Sequence, residues 1–160
     1  MDATVIWKGK LSFSGTADSA FSLPLGTSPD VGGDDDGFRP MELFAIGLAG
    51  CTAMDVISIL SKKRQEVTAF EVKTHIERTP EHPKVFTSAV IEYLFTGYNL
   101  DETAIVRSIE LSATRYCPAQ AMLVQVMPIR LTYQIYEDLG GGQRKLVKSG
   151  EYIPAEELIP

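Results

Sequence analysis

The stretch FRPMELFAIGLAGCTAMDVISILSKKRQ, residues 38–65, constrains this chain more than any other. Pro40 suits the first turn of a helix, where its missing N–H has no partner to lose. Lys62, Lys63 and Arg64 complement the carbonyl end of a helix dipole. Between them the residues are almost all apolar or small, so the spacing predicts one long helix ending near Arg64. Cys51 sits at its centre, ringed by Gly47, Ala49, Gly50, Thr52 and Ala53. A buried helix usually fills such a site with larger side chains. The small residues mark a place where another group must come close to the sulfur.

The segments on either side read as strands and one more helix. Residues 3–13 put Val5, Trp7, Leu11 and Phe13 on one parity, which predicts a strand, and residues 19–25 predict a second after the turn GTAD. GTSPDVGGDDDG is a loop by its Gly, Pro and Asp content. FEVKTHIER alternates with Phe70, Val72, Thr74 and Ile76 inward, and KVFTSAVIEYLFTG follows the TPEHP turn as a further strand. Asp101 is placed to cap a second helix with apolar or small residues at 105, 109 and 113. PIRLTYQIYED is a last strand; LGGGQRKLVKSG reads as a flexible link or hairpin turn, and EYIPAEELIP as a tail on the surface or on a partner. The order ββ–α–ββ–α–β predicts an α+β fold, one domain over residues 1–138 with 139–160 as its C-terminal extension.

With 160 residues the chain suits a single core. A net charge of −6 argues against a nucleic-acid partner and an anionic membrane surface. No apolar run reaches bilayer length; residues 43–60 come nearest and carry Asp55. The N-terminus MDATVIWKGK lacks a basic region followed by an apolar one, so the expected location is the cytoplasm. Two cysteines there are thiols or a redox pair rather than a structural staple.

A thiol reacts as its thiolate, so what lowers its pKa matters. Pro118 can open a short helix over 118–125, making Cys117 its N-cap, where the positive helix end favours a thiolate. Cys51 lies mid-helix and needs an outside cation; Arg39, Arg115, Lys8 and Lys10 are the candidates. Asp55, one turn on, opposes a thiolate if unpaired and orients a cation if paired with an arginine. Glu42 lies about half a turn round the helix from Cys51. Both cysteines can equally be inert space-fillers, since free cysteine is among the most buried residue types. They are 66 residues apart, and nothing in that spacing brings them together. His75 and His82 fall on a strand's polar face and in a turn, at no spacing for a zinc site, so no metal is expected. DVGGDDDG lacks the order of a calcium loop, and no glycine-rich loop opens a helix, so no cofactor is expected either.

PMELFAIGLAGCTAMDV, followed by RYCPAQAML, resembles the OsmC/Ohr family of thiol-dependent peroxidases over about residues 38–136, and within it the OsmC-like branch. The resemblance implies an OsmC-like fold, with antiparallel-type sheets packed on a long central helix in an intertwined homodimer. It implies Cys51 as the peroxidatic thiol that attacks an organic hydroperoxide, and Cys117 as the thiol that resolves the sulfenic acid into a disulfide. An external dithiol then reduces that disulfide. It also implies an activating arginine and a helix glutamate. The first 38 residues contain no arginine, so Arg39 stands as the substitute, with Glu42 matching the P-x-E-L form. Three readings follow: a peroxidase of organic hydroperoxides, a ligand-binding or redox-sensing protein with little turnover, and a structural module with inert thiols.

Overall fold

A computed structural model describes residues 1–153 of the chain. Two compact units meet within the long helix: residues 1–46 and residues 47–160.

The first unit is a three-stranded antiparallel sheet in the order β1-β2-β3, with β1 at Ala3–Gly9, β2 at Ser12–Ala17 and β3 at Ser22–Leu25. The single strand expected over 3–13 is therefore a hairpin. Gly9 and Lys10 turn it, both at positive φ (123° and 44°), and the Trp7 indole N–H donates to the Lys10 carbonyl at 2.8 Å. The hairpin register pairs Trp7 with Phe13, so residues of one parity share a face on both sides of the turn. That is why the pattern looked continuous. GTAD is the end of β2 rather than a turn ahead of a strand. After β3, a loop containing a 3₁₀ turn at Pro29–Val31 leads to α1, Pro40–Lys62.

The second unit holds most of α1 and a four-stranded sheet in the order β4-β5-β6-β7. β4 (Glu66–Arg78) and β5 (Phe86–Tyr98) form an antiparallel hairpin, with Phe70 opposite Phe95 and their rings stacked at 4.8 Å. The alternation predicted for FEVKTHIER is present: its apolar positions are half-buried and its charged ones exposed. From β5 the chain crosses through α2 (Glu102–Leu111), a π-helical turn (Ser112–Tyr116) and α3 (Pro118–Leu123). It returns as β6 (Ile129–Gly140), parallel to β5, and folds back as β7 (Gln143–Tyr152). The expected turn at Gly141 and Gly142 is there, but QRKLVKSG is a strand and not a flexible link. Glu151 and Tyr152 of the expected tail complete that strand; residues 154–160 lie outside the described residues.

One face of this sheet carries the core. Ile91, Tyr93 and Phe95 of β5 stand level with Leu131, Tyr133 and Ile135 of β6. Leu48, Val56 and Leu60 of α1 and Ala104, Ile105 and Ile109 of α2 pack on them. The buried residues of α1 recur every fourth position, at 48, 52, 56 and 60, which makes one stripe along the helix. Asp101 caps α2 as expected, accepting from the Thr103 N–H at 2.9 Å. The expectation that no run reaches bilayer length is corrected. By length and composition α1 qualifies, with a mean hydropathy of 2.0 over its most apolar window. Only 22% of that window is buried, since a single stripe faces the sheet.

Candidate functional site

The fourth-residue stripe of α1 carries a polar break at Thr52, and a chain of hydrogen bonds begins there. The Thr52 hydroxyl lies 2.6 Å from the Tyr93 hydroxyl and 2.9 Å from the Ser112 hydroxyl. All three residues are fully buried. Ser112 in turn donates to Asp55 Oδ2 at 3.0 Å. Burial holds the Tyr93 phenol well above its ordinary pKa, a trend the Thr52 hydrogen bond opposes and the nearby Cys117 charge reinforces. Gln120 lies against the same phenol, yet its side-chain Nε2 makes no hydrogen bond of ordinary geometry, although the residue is only 4% exposed. A buried amide donor without a partner is uncommon.

Above this network sit the two thiols. Cys51, Asp55 and Cys117 place their ligand-capable atoms within 4.8 Å of one another. The sequence left open whether the cysteines meet; the fold brings them together. Asp55 is one turn beyond Cys51 on the same helix face. Cys117 arrives from the crossover, where the π-helical turn ends and α3 begins. As expected, Cys117 is the N-cap of a short helix: its Sγ accepts from the Gln120 backbone N–H at 3.4 Å. The expected thiolate is corrected. Burial pushes the Cys117 thiol up to about 12, and contact with Cys51 adds to the rise; the two backbone N–H groups of α3 pull only weakly against them. Two turns of helix are too little dipole to offset desolvation of a residue that is 2% exposed. Cys51 is half-buried by contrast. A cleft of about 330 Å³ opens beside the pair, lined by Asp55, Ser58, Ile59, Lys62, Leu111 and Tyr116.

Arg39 and Glu42 belong to the first unit. The Arg39 guanidinium meets Asp35 at 3.0 Å and Glu42 at 3.3 Å, and it is about half exposed. Glu42 also accepts from the Arg39 backbone N–H at 2.9 Å, the reach-back of a capping box at the start of α1. Lys10 is taken by Asp34, at 2.8 Å, and Arg115 lies over the Tyr116 ring. The partner of Asp55 is the Ser112 hydroxyl; among the described residues it has no arginine partner. Sequence reasoning missed Thr52, Tyr93, Ser112 and Gln120 as a group. The only local signal was a threonine at a core position of α1.

Gly47 and Gly50 face open space in the single chain: a Cβ on either would meet nothing within 4 Å. Met54 is 74% exposed on the same helix.

The chain matches the family model described as OsmC-like protein over residues 33–132. It is 36% identical to Protein YhfA of Escherichia coli K12 over 135 residues, covering 84% of this chain and 98% of YhfA. Among solved structures, an OsmC-like protein from Mycoplasma pneumoniae superposes with a TM-score of 0.71 at 19% identity, over 84% of this chain and 95% of that one. A protein from Legionella pneumophila described as an organic hydroperoxide resistance protein OsmC superposes at 0.62 with 17% identity, over 82% and 94%. At those identities the two structures speak for the fold alone.

Proposed function

The chain belongs to the OsmC-like family, and from that premise we propose that it is a thiol peroxidase that reduces organic hydroperoxides to alcohols. The observation that carries the reading is the meeting of Cys51 and Cys117 across 66 residues of sequence, beside an apolar cleft. The half-buried Cys51 is the thiol a substrate can reach. Its sulfur attacks one oxygen of the hydroperoxide; an S–O bond forms, the O–O bond breaks, and the alkoxide takes up a proton as the alcohol. Cys51 is then a sulfenic acid. Cys117, held as a neutral thiol by burial, attacks that sulfur; the S–S bond forms and water leaves with the thiol proton and the sulfenic hydroxyl. An external dithiol reduces the disulfide, and a reducing compartment such as the cytoplasm supplies one.

Ile59, Leu111 and Tyr116 in the cleft suit an alkyl or fatty chain better than hydrogen peroxide. The open surface at Gly47 and Gly50, with Val5, Ile6 and Trp7 of β1 exposed, supports a homodimer in which a second chain covers these residues. Arg39 and Glu42 are the proposed activating pair. Arg39→Lys tests this, because an ammonium keeps the charge and loses the two-pronged guanidinium geometry.

The experiment is a stopped-flow titration of the reduced protein with cumene hydroperoxide and with hydrogen peroxide, followed by mass analysis of the disulfides. One equivalent of the organic peroxide removes two thiols and links Cys51 to Cys117, and Cys51→Ser abolishes the reaction. A Cys51→Ser protein that consumes the peroxide at the parent rate refutes the proposal. The second reading, a redox-sensing or ligand-binding protein with little turnover, is favoured by the hydroxyl partner of Asp55 where an arginine was expected. Oxidation of the thiols only over hours decides for it.

A further inference from the structure

We propose that reduced Cys51, reduced Cys117 and Asp55 form a three-ligand site for a zinc ion, whose occupancy masks both thiols from oxidants. The sequence pointed away from a metal because its cysteines and histidines have no ligand spacing. The fold supplies a different set, two sulfurs and a carboxylate, with all three ligand atoms within 4.8 Å of one another. Tetrahedral zinc at about 2.3 Å from sulfur and about 2.0 Å from oxygen needs its ligand atoms roughly 3.5–3.8 Å apart. An inward shift of about 1 Å reaches that spacing, within the range of side-chain rotation at a helix face and a loop.

Three further observations point to a ligand here. Ser112 donates to Asp55 Oδ2, which orients the carboxylate and leaves its other oxygen for a cation, as outer hydrogen bonds do at metal centres. The cleft lined in part by Asp55 gives an entry path and room for a fourth ligand from solvent. Gln120, whose backbone N–H already touches Cys117 Sγ, holds an unpartnered amide donor in the same buried cluster; it suits a hydroxide or anion in that fourth position. The donor set selects the metal. Two thiolates reject magnesium and calcium, and the carboxylate disfavours copper(I), which leaves zinc as the common borderline cation. Binding replaces the two thiol protons with one zinc, so two protons leave per ion bound.

The site uses the sulfurs of the proposed peroxidase but does not depend on its turnover. The test therefore measures equilibrium binding. Reduced, chelator-treated full-length protein is titrated anaerobically with zinc against a chromophoric chelator, with heats recorded in two buffers of different protonation enthalpy. One zinc per chain and two protons released are expected. Asp55→Asn lowers the affinity by at least about tenfold, and Ser112→Ala lowers it within the roughly 10–100-fold range of outer-shell changes. Cobalt in place of zinc shows thiolate-to-metal charge-transfer bands that vanish in Cys117→Ser. Circular dichroism of the two conservative variants confirms that they fold. No binding to the reduced protein, or binding unchanged in Asp55→Asn, overturns the proposal. Disulfide formation is measured separately on the metal-free protein, so either reading can fail while the other stands.

Discussion

Thr52→Val removes one hydroxyl from the centre of the buried network at almost constant shape. The consequence can be worked from the partners. Thr52 bonds to Tyr93 at 2.6 Å and to Ser112 at 2.9 Å. Ser112 keeps Asp55 as a partner, so losing that link costs about 1 kcal/mol, the net worth of an ordinary hydrogen bond. The Tyr93 hydroxyl keeps only the poorly aligned Gln120 amide, and an orphaned buried hydroxyl costs roughly 2 kcal/mol. The single variant is therefore destabilised by about 3 kcal/mol. Tyr93→Phe leaves Thr52 bonded to Ser112 and costs about 1 kcal/mol. In the double variant no hydroxyl is orphaned, and the loss falls to about 2 kcal/mol against a sum of about 4, a coupling near 2 kcal/mol. Urea unfolding followed by far-ultraviolet circular dichroism, at one fixed protomer concentration, measures all four corners of this cycle. A double variant within about 0.5 kcal/mol of the sum of the singles refutes the reasoning.

Other outcomes follow from the same geometry. The folded-state pKa of Cys117 is raised, so its contribution to stability is fully present below the unfolded value of about 8.5 and is lost as pH climbs towards about 12. The wild-type urea midpoint then falls more steeply through that alkaline window than the midpoint of Cys117→Ser; parallel curves count against it. Gly50→Ala, with open space at its Cβ, adds up to about 1 kcal/mol of helix propensity. Gly50→Leu, by contrast, dissociates the proposed dimer in sedimentation velocity, and an unchanged dimer carrying leucine there excludes a close helix–helix approach.

What the sequence revealed followed from periodic pattern and end signals. The course of α1 was legible from its apolar run, Pro40 and the closing lysines, and β4 from strict alternation. Cys117 as an N-cap was legible from Pro118. The β1–β2 hairpin was hidden because Trp7 and Phe13 pair across it and keep their parity. β7 was hidden for another reason: Gln143–Lys148 are all exposed, so this strand at the sheet edge has no inward pattern to read, and its Arg144, Lys145 and Lys148 are the charges such edges carry. The site was half legible. Each cysteine stood out alone, but their meeting depends on a parallel crossover that no local pattern encodes. The network at Thr52, Tyr93 and Ser112 joins α1, β5 and the crossover, and burial reverses the thiolate expected from the cap of α3.

The parallel pairing of β5 with β6 bears on the order of events as the chain folds. The β4–β5 and β6–β7 hairpins join neighbours in sequence, and short loops close quickly. Ala89 meets Ile129 only after forty residues have been gathered in, the costlier closure and the later one. Cys117 rides on that returning segment. Its sulfur reaches Cys51 only when the longest loop of the second unit has closed, so nascent chains hold their two thiols apart. The cysteine pair then acts as a completion mark: oxidation that links them reports a finished fold.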